Sequence, residues 1–204
     1  MSRPMASETP LGTTEKTTTP AEWAPEVDAR VTRIGMRIFA GADAFFFAAF
    51  FFAFFYLRSM NNNYSWLPDG TTHPTRAIGA LIVALAILVA AFHTLAIRNI
   101  GMSRTMLWLA LAAGVLFVAA QVYEFQNLGF DPQQGGGYPS VFVGFKGVLM
   151  VQTAGALVWL GTQIAQSSAA GDMLIRRATA SSFSNFLWFL AGVGLLAYLV
   201  LYFV

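Results

Sequence analysis

The chain has 204 residues, 56% of them hydrophobic and only 11% charged, with a formal net charge of +2. A soluble domain carries about twice that share of charge, and apolar stretches of roughly 20 residues, each long enough to cross about 30 Å of hydrocarbon as a helix, recur along the sequence, so an ordinary soluble globular protein is excluded in favour of an integral membrane protein. With no Cys there are no disulfides, thiolate metal sites or cysteine nucleophiles, and two histidines, His73 and His93, equip the chain poorly to hold a haem or copper centre alone.

The first 23 residues, MSRPMASETPLGTTEKTTTPAEW, are rich in Thr and Pro and lack an apolar core, so they do not read as a signal peptide. Residues 1–32 read as a flexible cytoplasmic tail. A docking role for Trp23 and the acidic run Glu22 to Asp28 is the alternative.

Five spans follow, giving an all-α polytopic membrane bundle over residues 33–204. The first runs from about Ile34 to Leu57 and contains GADAFFFAAFFFAFFY, with eight phenylalanines and one carboxylate, Asp43. The second covers residues 75–97, the third 104–125, the fourth about Val141 to Ala165, and the fifth begins near Phe183 and reaches the C-terminus. NNNYSWLPDGTTHP and DPQQGGGYP carry the turn signals between spans, and Gly135 to Gly137 read as a turn without a phosphate-site pattern.

With an odd number of spans the termini lie on opposite sides. Placing the N-terminus inside puts Arg30, Arg33, Arg98, Arg104, Arg176 and Arg177 on the inner side, with Arg37 just within the first span, and leaves Arg58 and Arg76 outside. The positive-inside rule selects this orientation, N-terminus cytoplasmic and C-terminus outside. Trp66 and Tyr138 are then expected near the outer headgroups and Trp108 near the inner ones. Arg58, Trp66 and Trp108 are the expected lipid contacts, although ordinary interfacial anchoring explains them equally well.

Helices in lipid associate through close packing of small residues. Ala40, Ala44 and Ala48 form such a strip on the first span. That strip is expected to face neighbouring helices, with Asp43 beside the contact and the phenylalanines as filler toward lipid and helices.

Asp43, His93, Glu124 and Lys146 are ionisable residues inside spans, where each costs about 2.5–3.5 kcal/mol and normally finds a partner or water. At ~1.5 Å per residue, Asp43 lies roughly 14 Å from the inner boundary and Lys146 about 8 Å from the outer one, the depth of Glu124. Lys146 and Glu124 are therefore expected to pair. Asp43 has no cation at its depth. It is either protonated or bonded to a hydroxyl, amide or imidazole, with His93 and Gln152 as candidates and Gln121 and Tyr123 as further polar groups. There is no nucleophile–base constellation, metal-ligand cluster or basic nucleic-acid patch, so no nucleic-acid partner is expected.

Several of these segments resemble subunit III of the haem–copper cytochrome c oxidases, in its five-helix bacterial form. GADAFFFAAFFFAFFYLR is similar to the family's Ser-Glu stretch followed by apolar and aromatic residues, with Asp43 at the Glu position and Ala42 at the Ser; Trp66 and Pro68 resemble the Trp-Pro that follows it. AAQVYEFQ resembles the Gln…Glu-Tyr pattern through Gln121 and Glu124. GGYPSVFVGFKGVLMVQTAG is similar to the Tyr-Gly-Ser-x-Phe…Gly-Phe-His-Gly-x-His segment through Tyr138, Ser140, Phe142, Phe145 and Gly147. Lys146 and Leu149 stand where that segment has His, and SNFLW puts Asn185 and Trp188 at the His and Asp of the last helix.

The resemblance implies a non-redox subunit of an aa3-type oxidase in a bacterial cell membrane. It would pack against subunit I, bind phospholipid in a cleft, and support proton uptake and durability during oxygen reduction. It implies no catalytic, cofactor-binding or metal-binding residue in this chain; haem and copper belong to the partner subunits. Competing readings are a subunit-III-like component of a nitric oxide reductase or other respiratory complex, and a small transporter. A transporter would favour paired broken helices with a midplane site, and no paired Gly/Pro-interrupted spans are present.

Overall fold

A computed structural model describes residues 25–61, 66–67, 72–98, 103–131, 135–167 and 173–204. These form five helices, α1 (Pro25–Ser59), α2 (Arg76–Arg98), α3 (Arg104–Gln126), α4 (Gly137–Gln166) and α5 (Met173–Phe203), each long and apolar enough to cross a membrane. No strand occurs among the described residues. The end bearing Pro25 and the α2–α3 connection is the basal end; the end bearing Ser59, the α3–α4 connection and Phe203 is the apical end. Trp23, Glu22 and Pro68 lie outside the described residues.

Helix α1 begins at Pro25, inside the segment expected to be tail. The local chemistry explains the earlier start: proline suits a first helical position, where its missing N–H would have no partner, and Glu26 and Asp28 complement the positive end of the helix dipole, as Arg58 does the negative end. Helix α5 likewise starts at Met173, ten residues before the apolar signal at Phe183, because MLIRRATASS contains no breaker. Gly135 (φ 76°) and Gly136 (φ 108°) make the turn into α4 in a backbone region that L side chains rarely adopt, and Pro139 sits in the first turn of α4, where no hydrogen bond is lost.

The helices close a ring in the order α1, α4, α3, α2, α5, and α4 also touches α5. Among the described residues α1 contacts neither α2 nor α3. Backbone bonds pin the apical loops: Tyr138 N–H donates to Trp66 O at 2.9 Å, and Thr72 N–H to Gly129 O at 2.9 Å.

The packing face of α1 differs from the sequence expectation. Phe47 and Phe54 are buried, whereas Ala44 and Ala48 are exposed and Ala40 is half-buried. Phe47, Phe50 and Phe51 all meet Phe145 of α4, with ring centroids 5.1–5.7 Å apart. Gly144 gives Phe50 room to approach. Offset and edge-on aromatic pairs stabilise beyond their buried area by about 0.5–1.5 kcal/mol each, so α1 docks through rings and leaves its alanine strip outward.

Candidate functional site

The polar side chains within the bundle gather in three places. The apical cluster joins three helices. Lys146 Nζ of α4 lies 2.8 Å from Glu124 Oε2 of α3, the pair expected from their shared depth. Tyr202 of α5 donates its hydroxyl to Glu124 Oε1. The Lys146 ammonium also lies 5.4 Å from the Tyr202 ring centroid and 5.8 Å from that of Phe142, so its remaining surface meets π faces instead of water. Glu124, Lys146 and Tyr202 are 2%, 4% and 3% exposed.

The same region fastens the C-terminal turn of α5. Tyr138 OH donates to Leu201 O at 2.8 Å, and Arg76 Nε donates to Tyr202 O at 3.3 Å. The last carbonyls of a helix have no intrahelical partner, and here a buried phenol and a cation supply them. The Arg76 guanidinium sits 4.8 Å over the Phe203 ring. His73 stands edge-on to Tyr138, centroids 5.1 Å apart.

The second place is Asp43. Gln152 Nε2 of α4 donates to Asp43 Oδ1 at 2.5 Å, so an amide partners the carboxylate. Asp43 Oδ2 and Gln152 Oε1 have no hydrogen-bond partner. Basal to this contact α1 and α4 diverge, with α5 as the floor. The resulting cleft has a volume of 590 Å³ and is lined by Gly35, Phe39, Gln152, Gly155, Trp159 and Phe183 among others. Asp43 and Gln152 thus clip the two walls together at the apex of an apolar cleft.

His93, the other candidate for Asp43, is engaged elsewhere. Its Nε2 lies 2.8 Å from Gln163 Oε1, and its ring is fully buried edge-on to Phe183. Beside it Trp188 Nε1 donates to Thr94 Oγ at 3.0 Å, and Ser184 Oγ lies 2.8 Å from the same oxygen. Thr94 in turn donates to Ala90 O at 2.7 Å, and this small network stitches α2 to α5. Sequence reasoning missed it and the Gln163 bond. The available signal was the recurrence of Thr94, Gln163, Ser184 and Trp188 at similar depth in spans otherwise apolar.

Gln121 is fully buried, with neither side-chain polar atom bonded within the protein. Tyr123, by contrast, is exposed, as are Trp108 and Arg58. Trp66 is half-buried: it packs edge-on against Phe54 and Tyr138 and over Gly137, where a Cβ would meet the ring at 2.7 Å. It is therefore a packing residue of the α1–α4 seam as well as an apical aromatic. Among the described residues no three His, Asp or Glu side chains gather as a metal site.

Neither a family model nor a curated protein matches this chain.

Proposed function

We propose that the chain is a non-redox subunit III of an aa3-type cytochrome c oxidase in a bacterial cell membrane, packing against subunit I, binding lipid, and supporting proton uptake and stability during oxygen reduction. One observation carries this reading. Glu124 on α3 and Tyr138 and Phe142 on α4, which resemble the family's motifs, meet in one buried apical cluster together with Lys146, which stands where the family segment has His. Shared depth alone brings Glu124 to Lys146; what the resemblance adds is that Glu124, Tyr138 and Phe142 of this cluster stand at positions that match the family's motifs. At the position where the family segment has His, Lys146 keeps a cation beside Glu124, so the pairing persists while the cation changes type.

The cleft below Asp43 and Gln152 suits the lipid part of the reading. Its walls are apolar and its 590 Å³ volume lies within the range of organic ligand sites, about 300–1,000 Å³. An acyl chain needs no polar partner there. Asp43 then acts as a structural fixture above the cleft, holding α1 to α4.

The test is a mild-detergent pull-down of the tagged chain from its native membranes, with a haem spectrum and mass spectrometry of the eluate. Haem a with an oxidase subunit I is the expected result. A nitric oxide reductase catalytic subunit in its place would move the chain to that complex. A haem-free eluate, with the oxidase intact in the same membranes, would overturn the subunit reading in favour of a transporter or another role.

A further inference from the structure

Adjoining the cleft across Met36 and Phe186, the α1–α5 seam carries a second, chemically different groove. Its volume is 270 Å³, and its polar lining is Arg33 and Arg37 of α1 facing Ser181, Ser182 and Asn185 of α5. Met36, Ala40 and Phe186 supply its apolar side, and on each helix the lining residue nearest mid-membrane is apolar, Ala40 on α1 and Phe186 on α5.

Depth identifies this as a headgroup level. From Arg37 to Arg58 the α1 axis rises about 31 Å, close to the roughly 30 Å of a hydrocarbon core. The groove therefore sits where that core ends on the basal side, level with Arg98 and Arg104.

Charge identifies the ligand. Among the described residues neither Arg33 nor Arg37 has a carboxylate within ion-pair distance. Arg33 Nε donates to Ala29 O at 3.1 Å, which leaves the terminal nitrogens of its guanidinium outside that bond. Helix α5 has no acidic residue. Glu26, the acid on the same face of α1, is two turns or about 10 Å basal of Arg33, and Asp43 is turned to Gln152. Two guanidiniums one turn apart, with hydroxyl and amide groups opposite, match the oxygens of a phosphate.

The strip above the groove distinguishes a lipid from a free anion. Arg33, Arg37, Ala40, Ala44 and Ala48 recur at spacings of three or four residues and so share one face of α1. Ala44 and Ala48 are exposed. Their small side chains continue the exposed face apically from Ala40, where the groove's lining ends. We propose that this groove binds an anionic phospholipid, with its phosphate on Arg33, Arg37 and the Ser181–Asn185 face and an acyl chain along Ala40, Ala44 and Ala48. The site does not depend on the oxidase reading, because every group in it belongs to this chain.

The test is native mass spectrometry of the full chain purified in mild detergent, titrated with phosphatidylglycerol, phosphatidylcholine or inorganic phosphate. Phosphatidylglycerol should bind preferentially. Arg33→Gln with Arg37→Gln should weaken it by roughly thirtyfold, the effect of two basic side chains at an anionic surface. Arg98→Gln, at the same depth but outside the groove, should leave the affinity unchanged. Ala44→Trp, which obstructs the alanine strip and keeps both charges, should also weaken phosphatidylglycerol binding. Both arginines and Ala44 are exposed, so the fold of each variant is checked by its unchanged helical circular dichroism. Equal binding of phosphatidylcholine, equal loss in Arg98→Gln, no effect of Ala44→Trp, or displacement of the lipid by millimolar phosphate would each overturn the proposal. So would a partner protein helix crosslinking to Ala44 in native membranes in place of lipid.

Discussion

Lys146 Nζ on α4 lies 2.8 Å from Glu124 Oε2 on α3, and the two residues are 4% and 2% exposed. Their attraction acts in a low-dielectric interior, but so does the cost of desolvating each charge. Pairs of this kind add little net stability over an apolar replacement, whereas removing one partner strands the other.

Lys146→Met is therefore expected to destabilise the bundle by about 3–5 kcal/mol, as for other broken buried pairs. Glu124→Gln alone strands the ammonium. The double variant should recover much of the loss, giving a coupling energy above about 1 kcal/mol in a double-mutant cycle. Denaturation of the detergent-solubilised protein measures all three. Additive effects would mean that the two charges find separate routes to the apical surface.

Tyr202→Phe removes only the hydroxyl that donates to Glu124. A hydrogen bond to a charged group contributes about 1.5–3 kcal/mol, so this variant should lose less than Lys146→Met. It should also be non-additive with Glu124→Gln, since both act on the same carboxylate. The same melts decide it: a Tyr202→Phe loss equal to that of Lys146→Met would make the phenol, not the ammonium, the main partner of Glu124.

Gly79 of α2 tests the tight seam behind that tyrosine. A Cβ at Gly79 would lie 2.7 Å from Tyr202 Cζ and 2.8 Å from Tyr198 Cδ2. Gly79→Ala forces those rings away and should cost about 1–3 kcal/mol by overpacking. Gly161→Ala on α4 meets open space and should be neutral or slightly stabilising, since alanine favours a helix over glycine by about 1 kcal/mol. Thermal midpoints of the two variants compared with the parent check the contrast.

The sequence discloses some of these relationships and hides others for a physical reason. The number of spans and the Glu124–Lys146 pair are legible because hydropathy fixes depth, and two opposite charges at one depth on adjacent helices have few other partners. Rotation about the helix axis is less legible. Ala40, Ala44 and Ala48 look like a packing strip, yet α1 docks through Phe47 and Phe50 because Gly144 and Phe145 on α4 offer a complementary surface. Lipid-facing and helix-facing surfaces are both apolar, so composition alone does not separate them. For His93 the difficulty is similar: Gln152 and Gln163 are alternative amides on α4, and only the assembled depths place His93 at Gln163 and Asp43 at Gln152.

Asp43 gives the sharpest separation between structure and proton chemistry. Its contact with Gln152 requires an acceptor at Oδ1, and Gln152 Oε1 has no hydrogen-bond partner. Asparagine supplies the acceptor and adds an N–H able to reach that free oxygen. Asp43→Asn should therefore retain the melting temperature of the parent. Asp43→Leu removes the clip between α1 and α4 and should cost about 0.6–1.7 kcal/mol, the range for hydrogen bonds between membrane helices. It should also loosen the cleft, seen as faster labelling of a cysteine introduced at Gly155, which lines it. If Asp43→Asn were as destabilising as Asp43→Leu, the negative charge itself would be required, and a clip built on hydrogen bonding alone would be wrong. If the Asn variant instead folded and assembled normally in an oxidase but altered proton pumping, the carboxyl group would have a proton-handling role beyond holding α1 to α4.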